Sequence, residues 1–118
     1  MRMWMVDPKI LCNKHLLGEH VEMHMFLGTF KRKKSIKGYI NNNLVEPLKL
    51  KERHDLLVRE MERRGMHHKS ILNINDELNY LSNNDINSFV NIHSSLEDLI
   101  GRCEECKKNY IMLMCNNS

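Results

Sequence analysis

The residues best able to do chemistry together lie near the start of the chain. His15, Glu19 and Glu22 are spaced i, i+4, i+7, so on a helix all three project from one face. An imidazole beside two carboxylates can orient a substrate and move protons; the same spacing also describes an ordinary hydrated helix surface. The chain opens Met1-Arg2. Methionine aminopeptidases spare a methionine followed by a bulky residue, so Met1 is expected to stay. A free α-amine has an ordinary pKa of about 8, which makes it the one amine here that is substantially neutral, and hence nucleophilic, near physiological pH without special burial.

Other constellations are weaker. Cys103-x-x-Cys106 has the spacing of half a zinc knuckle, but a structural zinc site needs four ligands, usually two such pairs. The remaining cysteines, Cys12 and Cys115, do not make a second pair, and both thiols of the motif fall on the apolar face of a helix, where they read as small buried core residues. His20 and His24, at i,i+4, could chelate a metal, yet the glutamate between them does not directly follow the first histidine as in zinc proteases. His67-His68 follows a helix end and reads as solvent-facing, or at most near phosphates. No metal ligand and no cofactor is assigned.

The elements that must position these groups are helical. Asp7-Pro8 fits a cap with a first-turn proline. A long helix can start at Asn13, with Leu16, His20, Met23 and Leu27, and also Leu17, Val21 and Met25, at helical spacing. Gly18 costs such a helix about 1 kcal/mol relative to alanine, and close approach of the N-terminal arm would explain it. A basic, then asparagine-rich connection leads through Pro47 to "LKLKERHDLLVREMERRG". There Leu50, Leu57, Val58 and Met61 make an apolar stripe, Asp55–Arg59 and Glu60–Arg64 are i,i+4 pairs, and Gly65 is a left-handed stop. After loops, with a short helical turn around "NDINSFVNI", a last helix is predicted from a Ser94/Glu97 capping box through "DLIGRCEECKKNYIML", with Leu96, Leu99, Ile100, Cys103, Cys106 and Tyr110 on one face. The expectation is an all-α, compact single domain over residues 1–118, with three main helices, long connections and an N-terminal arm packed between helices.

Composition narrows the class. In 118 residues, 42% hydrophobic and 28% charged, a globular fold is favoured over disorder. No apolar run is long enough to cross a bilayer, and the start lacks a signal peptide's layout. Four cysteines read as reduced thiols in a cytosol rather than a disulfide framework. The net charge is +3, but residues 31–64 hold eleven Lys/Arg against five acids, +6, leaving −3 elsewhere. Such concentration favours a polyanion, nucleic acid first, although a solvated basic helix face would look the same.

A short arm, a helix carrying "HLLGEHVEM", a basic connection and a helix ending "EMERRGM" together resemble the pyrimidine-dimer DNA glycosylases of the phage endonuclease V class, over roughly residues 1–70. The family pattern of a His-Leu pair, a glutamate three residues on and the catalytic glutamate after three more falls on His15, Leu16, Glu19 and Glu22. The basic pair, glycine and apolar residue that end the family's second helix fall on Arg63, Arg64, Gly65 and Met66. The resemblance implies that the α-amine of residue 1 is the nucleophile; here Met1 itself takes that place. It further implies catalysis by Met1 and Glu22. DNA would be bound through Arg2, His15 and the stretch Lys31, Arg32, Lys33 and Lys34. The implied partner is damaged or distorted double-stranded DNA, met by a monomeric cytoplasmic protein without a membrane, in a bacterial host if phage-encoded. Val21 and Met25 stand where the phage prototype carries arginines that grip and kink the duplex, and "CEECKKNYIMLMCNNS" replaces an aromatic- and lysine-rich tail. These departures leave two outcomes, a smaller glycosylase with abasic-site lyase activity, or a noncatalytic DNA-structure binder that keeps the fold. A metal-binding helical adaptor built on His20, His24 or the cysteine pair is a third.

Overall fold

Asp7 and Pro8 set the first element. The Asp7 carboxylate accepts the Lys9 amide at 3.0 Å, and Pro8–Ile10 forms a single 3-10 turn. The structure, a computed structural model, describes residues 1–67 and 70–116; of the His67-His68 pair, His67 is exposed and His68 lies outside the described residues. Helix α1 follows at Asn13–Lys31, one residue earlier than a cap at Asn13 would give, because Cys12 is the capping residue. A five-residue helix α2 (Lys37–Asn41) and a 3-10 turn (Pro47–Lys49) lead into α3 (Leu50–Arg63). Gly65, at φ +83°, ends α3 as expected of a residue with no Cβ. The remaining helices are α4 (Asn83–Ile86), α5 (Ile92–Arg102) and α6 (Glu104–Asn116), with no strand among the described residues.

The expected last helix is therefore two. Periodicity runs unbroken across Cys103, but the backbone there is extended (φ −132°, ψ 110°). Its sulfur accepts the Cys106 amide at 3.4 Å, opening a new helix. The start also differs: Asn91, not Ser94, caps α5, its side chain accepting the Ser94 amide at 3.0 Å. On α3, Glu60 pairs with Arg64 at 2.7 Å as expected, whereas Asp55 pairs with Lys51 at 3.1 Å. Arg64 also reaches the carbonyl of Pro8 and the side chain of Asn13, so this half of the "RRG" motif ties α3 to the entry of α1.

One cluster of buried side chains runs from the arm to α6. Leu16, Met23, Phe26 and Phe30 of α1 share the cluster with Leu50 and Leu57 of α3, α6 packs on the Pro8–Ile10 turn, and α5 packs against α6. Met3, Trp4 and Val6 of the arm are buried in the same cluster. Each contributes about 1.5–3 kcal/mol through burial, which makes the arm part of the core. Polar side chains from three helices fix its backbone. Glu19 on α1 accepts the Trp4 amide at 3.1 Å, Arg53 on α3 donates to the Val6 carbonyl at 2.6 Å, and Ser95 on α5 donates to the Trp4 carbonyl at 2.6 Å. Glu19 and Arg53 are themselves a fully buried two-pronged pair at 2.7 and 2.8 Å. The geometry satisfies both groups, which is what makes burying two charges tolerable.

Candidate active site

The arm delivers Met1 to a cleft of about 660 Å³. Of the residues expected from the sequence, Met1, Arg2, His15 and Glu22 all line it. The Arg2 amide donates to Glu22 Oε2 at 3.3 Å. Covalent geometry keeps the Met1 nitrogen within about 4 Å of that amide nitrogen, and Glu22 feels the charge of the terminal ammonium. Burial pushes the Glu22 carboxyl above its usual pKa, against the Arg2 amide and the ammonium, which pull it down. A carboxyl raised in this way is better poised to exchange protons than a free one.

Protonating Glu22 relieves its burial cost, so the acid form adds stability as the pH falls through its raised value. Glu60 is the opposite case: hydrogen bonding to Arg63 and Arg64 holds it below the usual range, and it stabilises the fold until acid protonates it. We expect carbon-13 carboxyl titrations to place Glu22 above an ordinary glutamate and Glu60 below one; the reverse order would contradict the geometry described.

The other cleft residues had no local signal in the sequence. Arg2 is not a free cation. It bonds Asp98 at 2.7 Å and Ser95 Oγ at 3.2 Å, and its guanidinium lies 3.6 Å from the centroid of the Trp4 ring. Arg102 bonds the same Asp98 at 2.6 Å, and Arg102 holds the Asp98 carboxyl low, with Arg2 adding to the effect. With Lys14 and the Met1 amine, the cleft holds four cationic groups against the carboxylates of Glu22 and Asp98. That surplus attracts a phosphate chain. His15 is pushed down in pKa by burial and by Lys14 and Arg102, and its Nδ1 faces the sulfurs of Cys12 and Cys106 at 3.2 and 3.6 Å.

The basic stretch lies elsewhere. Lys31, Arg32, Lys33 and Lys34 are exposed at the far end of α1, about 14 Å along the axis from Glu22 at 1.5 Å per residue. Lys31 and Lys33 line a separate concavity with Asp76, Glu77 and Tyr80. Much of the remaining positive charge of residues 31–64 is spent internally: Arg53, Arg63, Arg64, Lys37, Lys49 and Lys51 are all in ion pairs. Glu19, grouped with His15 and Glu22 by spacing, is not in the cleft wall but beneath it, holding the arm. His20 and His24 are joined by His54 of α3, with ring centroids 4.8–5.0 Å apart.

Gly18 corrects an expectation. The arm does not press on it, and a Cβ there would meet nothing within 4 Å; the residue lines the open cleft. Gly18→Ala is therefore expected to stabilise the fold by about 1 kcal/mol, a rise of roughly 4 °C in Tm, while placing a methyl group where substrate would lie. A thermal melt checks this, and a lowered Tm would contradict it.

The fold is all-helical among the described residues and holds residue 1 beside a half-buried glutamate in a cleft with a surplus of cationic groups. The pyrimidine dimer DNA glycosylase family matches residues 1–74, and the chain belongs to that family. DNA is its implied substrate. No curated protein and no solved structure matches the chain. No helix among the described residues is long and apolar enough to cross a membrane.

Proposed function

We propose that the protein is a DNA glycosylase with abasic-site lyase activity, acting as a monomer on damaged duplex through the Met1 amine. The observation that supports this reading is the 3.3 Å contact between the Arg2 amide and Glu22, which holds residue 1 beside that carboxylate. The neutral amine attacks the anomeric carbon of the deoxyribose as the glycosidic bond breaks, its electron pair leaving with the base, which takes up a proton. The sugar ring then opens to give an iminium between Met1 and that carbon. The iminium acidifies the neighbouring C2′ proton; its removal expels the 3′ phosphate, and hydrolysis of the imine restores the amine. Glu22 stabilises the positive charge that develops as the base leaves, then carries protons during elimination.

Arg2, with Arg102 and Lys14, would hold phosphates at the cleft, and Lys31–Lys34 would grip the duplex further along without reading sequence. His15 orients sugar or phosphate. The nucleotide must leave the stack for the amine to reach it, and damaged pairs cost less to open.

A second reading, a noncatalytic binder of distorted DNA, is favoured by one feature: Val21 and Met25 are 53% and 49% exposed on α1, where cations would bend a duplex. A removable tag ahead of Met1 separates the two. The tagged protein is expected to bind duplex DNA but not cleave at an abasic site, and proteolytic release of Met1 is expected to restore cleavage. Cleavage undiminished by the tag would rule out the Met1 amine; none after release would leave the binder.

A further inference from the structure

The cysteine pair that the sequence leaves as core packing does not stand alone. Cys12 Sγ, His15 Nδ1, Cys103 Sγ and Cys106 Sγ all lie within 4.8 Å of one another. The second pair is Cys12-x-x-His15, hidden from a search for cysteines because its second member is a histidine. We propose that these four residues bind one structural zinc ion that fastens the C-terminal helices to the start of α1.

Zinc takes sulfur at about 2.3 Å and imidazole nitrogen at about 2.0–2.1 Å in tetrahedral geometry, which sets the edges near 3.8 Å for two sulfurs and 3.5 Å for sulfur and nitrogen. The structure has 3.9 Å from Cys12 Sγ to Cys103 Sγ, 3.6 Å from Cys106 Sγ to His15 Nδ1 and 3.2 Å from Cys12 Sγ to His15 Nδ1. A core packed only for volume has no reason to aim an imidazole nitrogen at a group of sulfurs.

The backbone repeats the pattern. Cys12 caps α1 and His15 is its third residue; Cys103 precedes α6 and Cys106 is its third residue. Both ligand pairs therefore sit at the start of a helix, one ligand at the cap and the other at the third residue. Amides already point at the sulfurs: Cys12 N to Cys106 Sγ at 3.2 Å and Cys106 N to Cys103 Sγ at 3.4 Å. The extended break at Cys103, which helix periodicity does not explain, is what brings its sulfur to the site.

Packing supplies a need. The family match ends at residue 74, and α5 and α6 lie beyond it. Those two helices bury only Ser95, Leu99 and Cys106 fully, a small apolar anchorage for a segment that places Asp98 and Arg102 in the cleft. A Cys3His zinc site closes all four positions, so it is structural rather than catalytic, and its binding energy is folding energy. Ligation through Nδ1 would also fix the His15 proton on Nε2, a donor for the cleft; this last point alone rests on the proposed function.

The full chain, purified without chelator and measured by inductively coupled plasma mass spectrometry, is expected to hold about one zinc. Cobalt replacing it should show thiolate charge-transfer and tetrahedral d–d bands. Cys12→Ser and Cys103→Ser should each lose the metal, Cys115→Ser should keep it, and chelation should lower the Tm and raise the count of reactive thiols. The thiol count and the cobalt spectrum need no variant and so survive any failure of a variant to fold. No metal after refolding with zinc would overturn the proposal, as would a disulfide between Cys12 and Cys103. So would zinc that persists in Cys103→Ser but is lost in His24→Gln, which would move the ion to His20, His24 and His54.

Discussion

Glu22→Gln is expected to slow strand cleavage at an abasic site by roughly 10²–10⁴-fold while changing duplex affinity by only a few-fold. The amide keeps the size of the carboxylate and can still accept the Arg2 amide now bonded at 3.3 Å, so the arm should stay in place. What it loses is negative charge beside the developing oxocarbenium or iminium, and the capacity to take up a proton. Affinity should even gain slightly, because a carboxylate in a cleft with Arg2, Lys14 and Arg102 repels phosphate. Single-turnover cleavage and equilibrium binding, measured on the same variant, separate the two effects. Equal loss of both would mean that Glu22 serves the structure of the cleft instead of the reaction.

Arg53→Met should do its damage from beneath the site. It leaves the Glu19 carboxylate buried without its two-pronged partner and the Val6 carbonyl without its donor. Breaking such a pair on one side costs about 3–5 kcal/mol, comparable with the whole stability of a marginal domain, and should lower the Tm by roughly 12–20 °C. The double variant Glu19→Leu with Arg53→Met removes the stranded charge and should recover much of that loss, since apolar replacements of buried pairs are often neutral. Cleavage should not recover with it, because the Trp4 amide then lacks its acceptor and the arm no longer holds Met1 at Glu22. Melting curves and cleavage rates for the pair decide the matter; activity that returns in step with stability would make the ion pair a matter of folding alone.

These two predictions concern residues that were legible in the sequence to different degrees. Spacing puts Glu22 on one helix face with His15 and Glu19, its catalytic assignment comes from the resemblance to the glycosylase family, and α1 and α3 follow from periodicity and the Gly65 stop. Those signals are local, carried by spacing and turn chemistry. Glu19 misled because a charged residue between other polar ones reads as surface; its partner is 34 positions away on α3, in a stretch where cations are common. Asp98 and Arg102 reach the cleft across more than 90 residues, with nothing local to announce them. The resemblance gives Arg2 to DNA binding, and the structure clamps it to Asp98 and Trp4, so any phosphate it meets finds a positioned guanidinium. The break at Cys103 was invisible for a related reason. Leu99, Cys103 and Cys106 keep helical spacing, and the neighbour of the Cys103 sulfur at the break, Cys12, comes from the other end of the chain.

Whether the Met1 amine is the nucleophile is decided by borohydride reduction during reaction with a duplex bearing a single abasic site, followed by mass spectrometry of the trapped peptide. Met1 as the conjugated residue, with trapping abolished when its amine is acetylated beforehand, is the predicted result. An adduct at Lys14, the other amine in the cleft, or no adduct from a protein that binds the duplex, would contradict it.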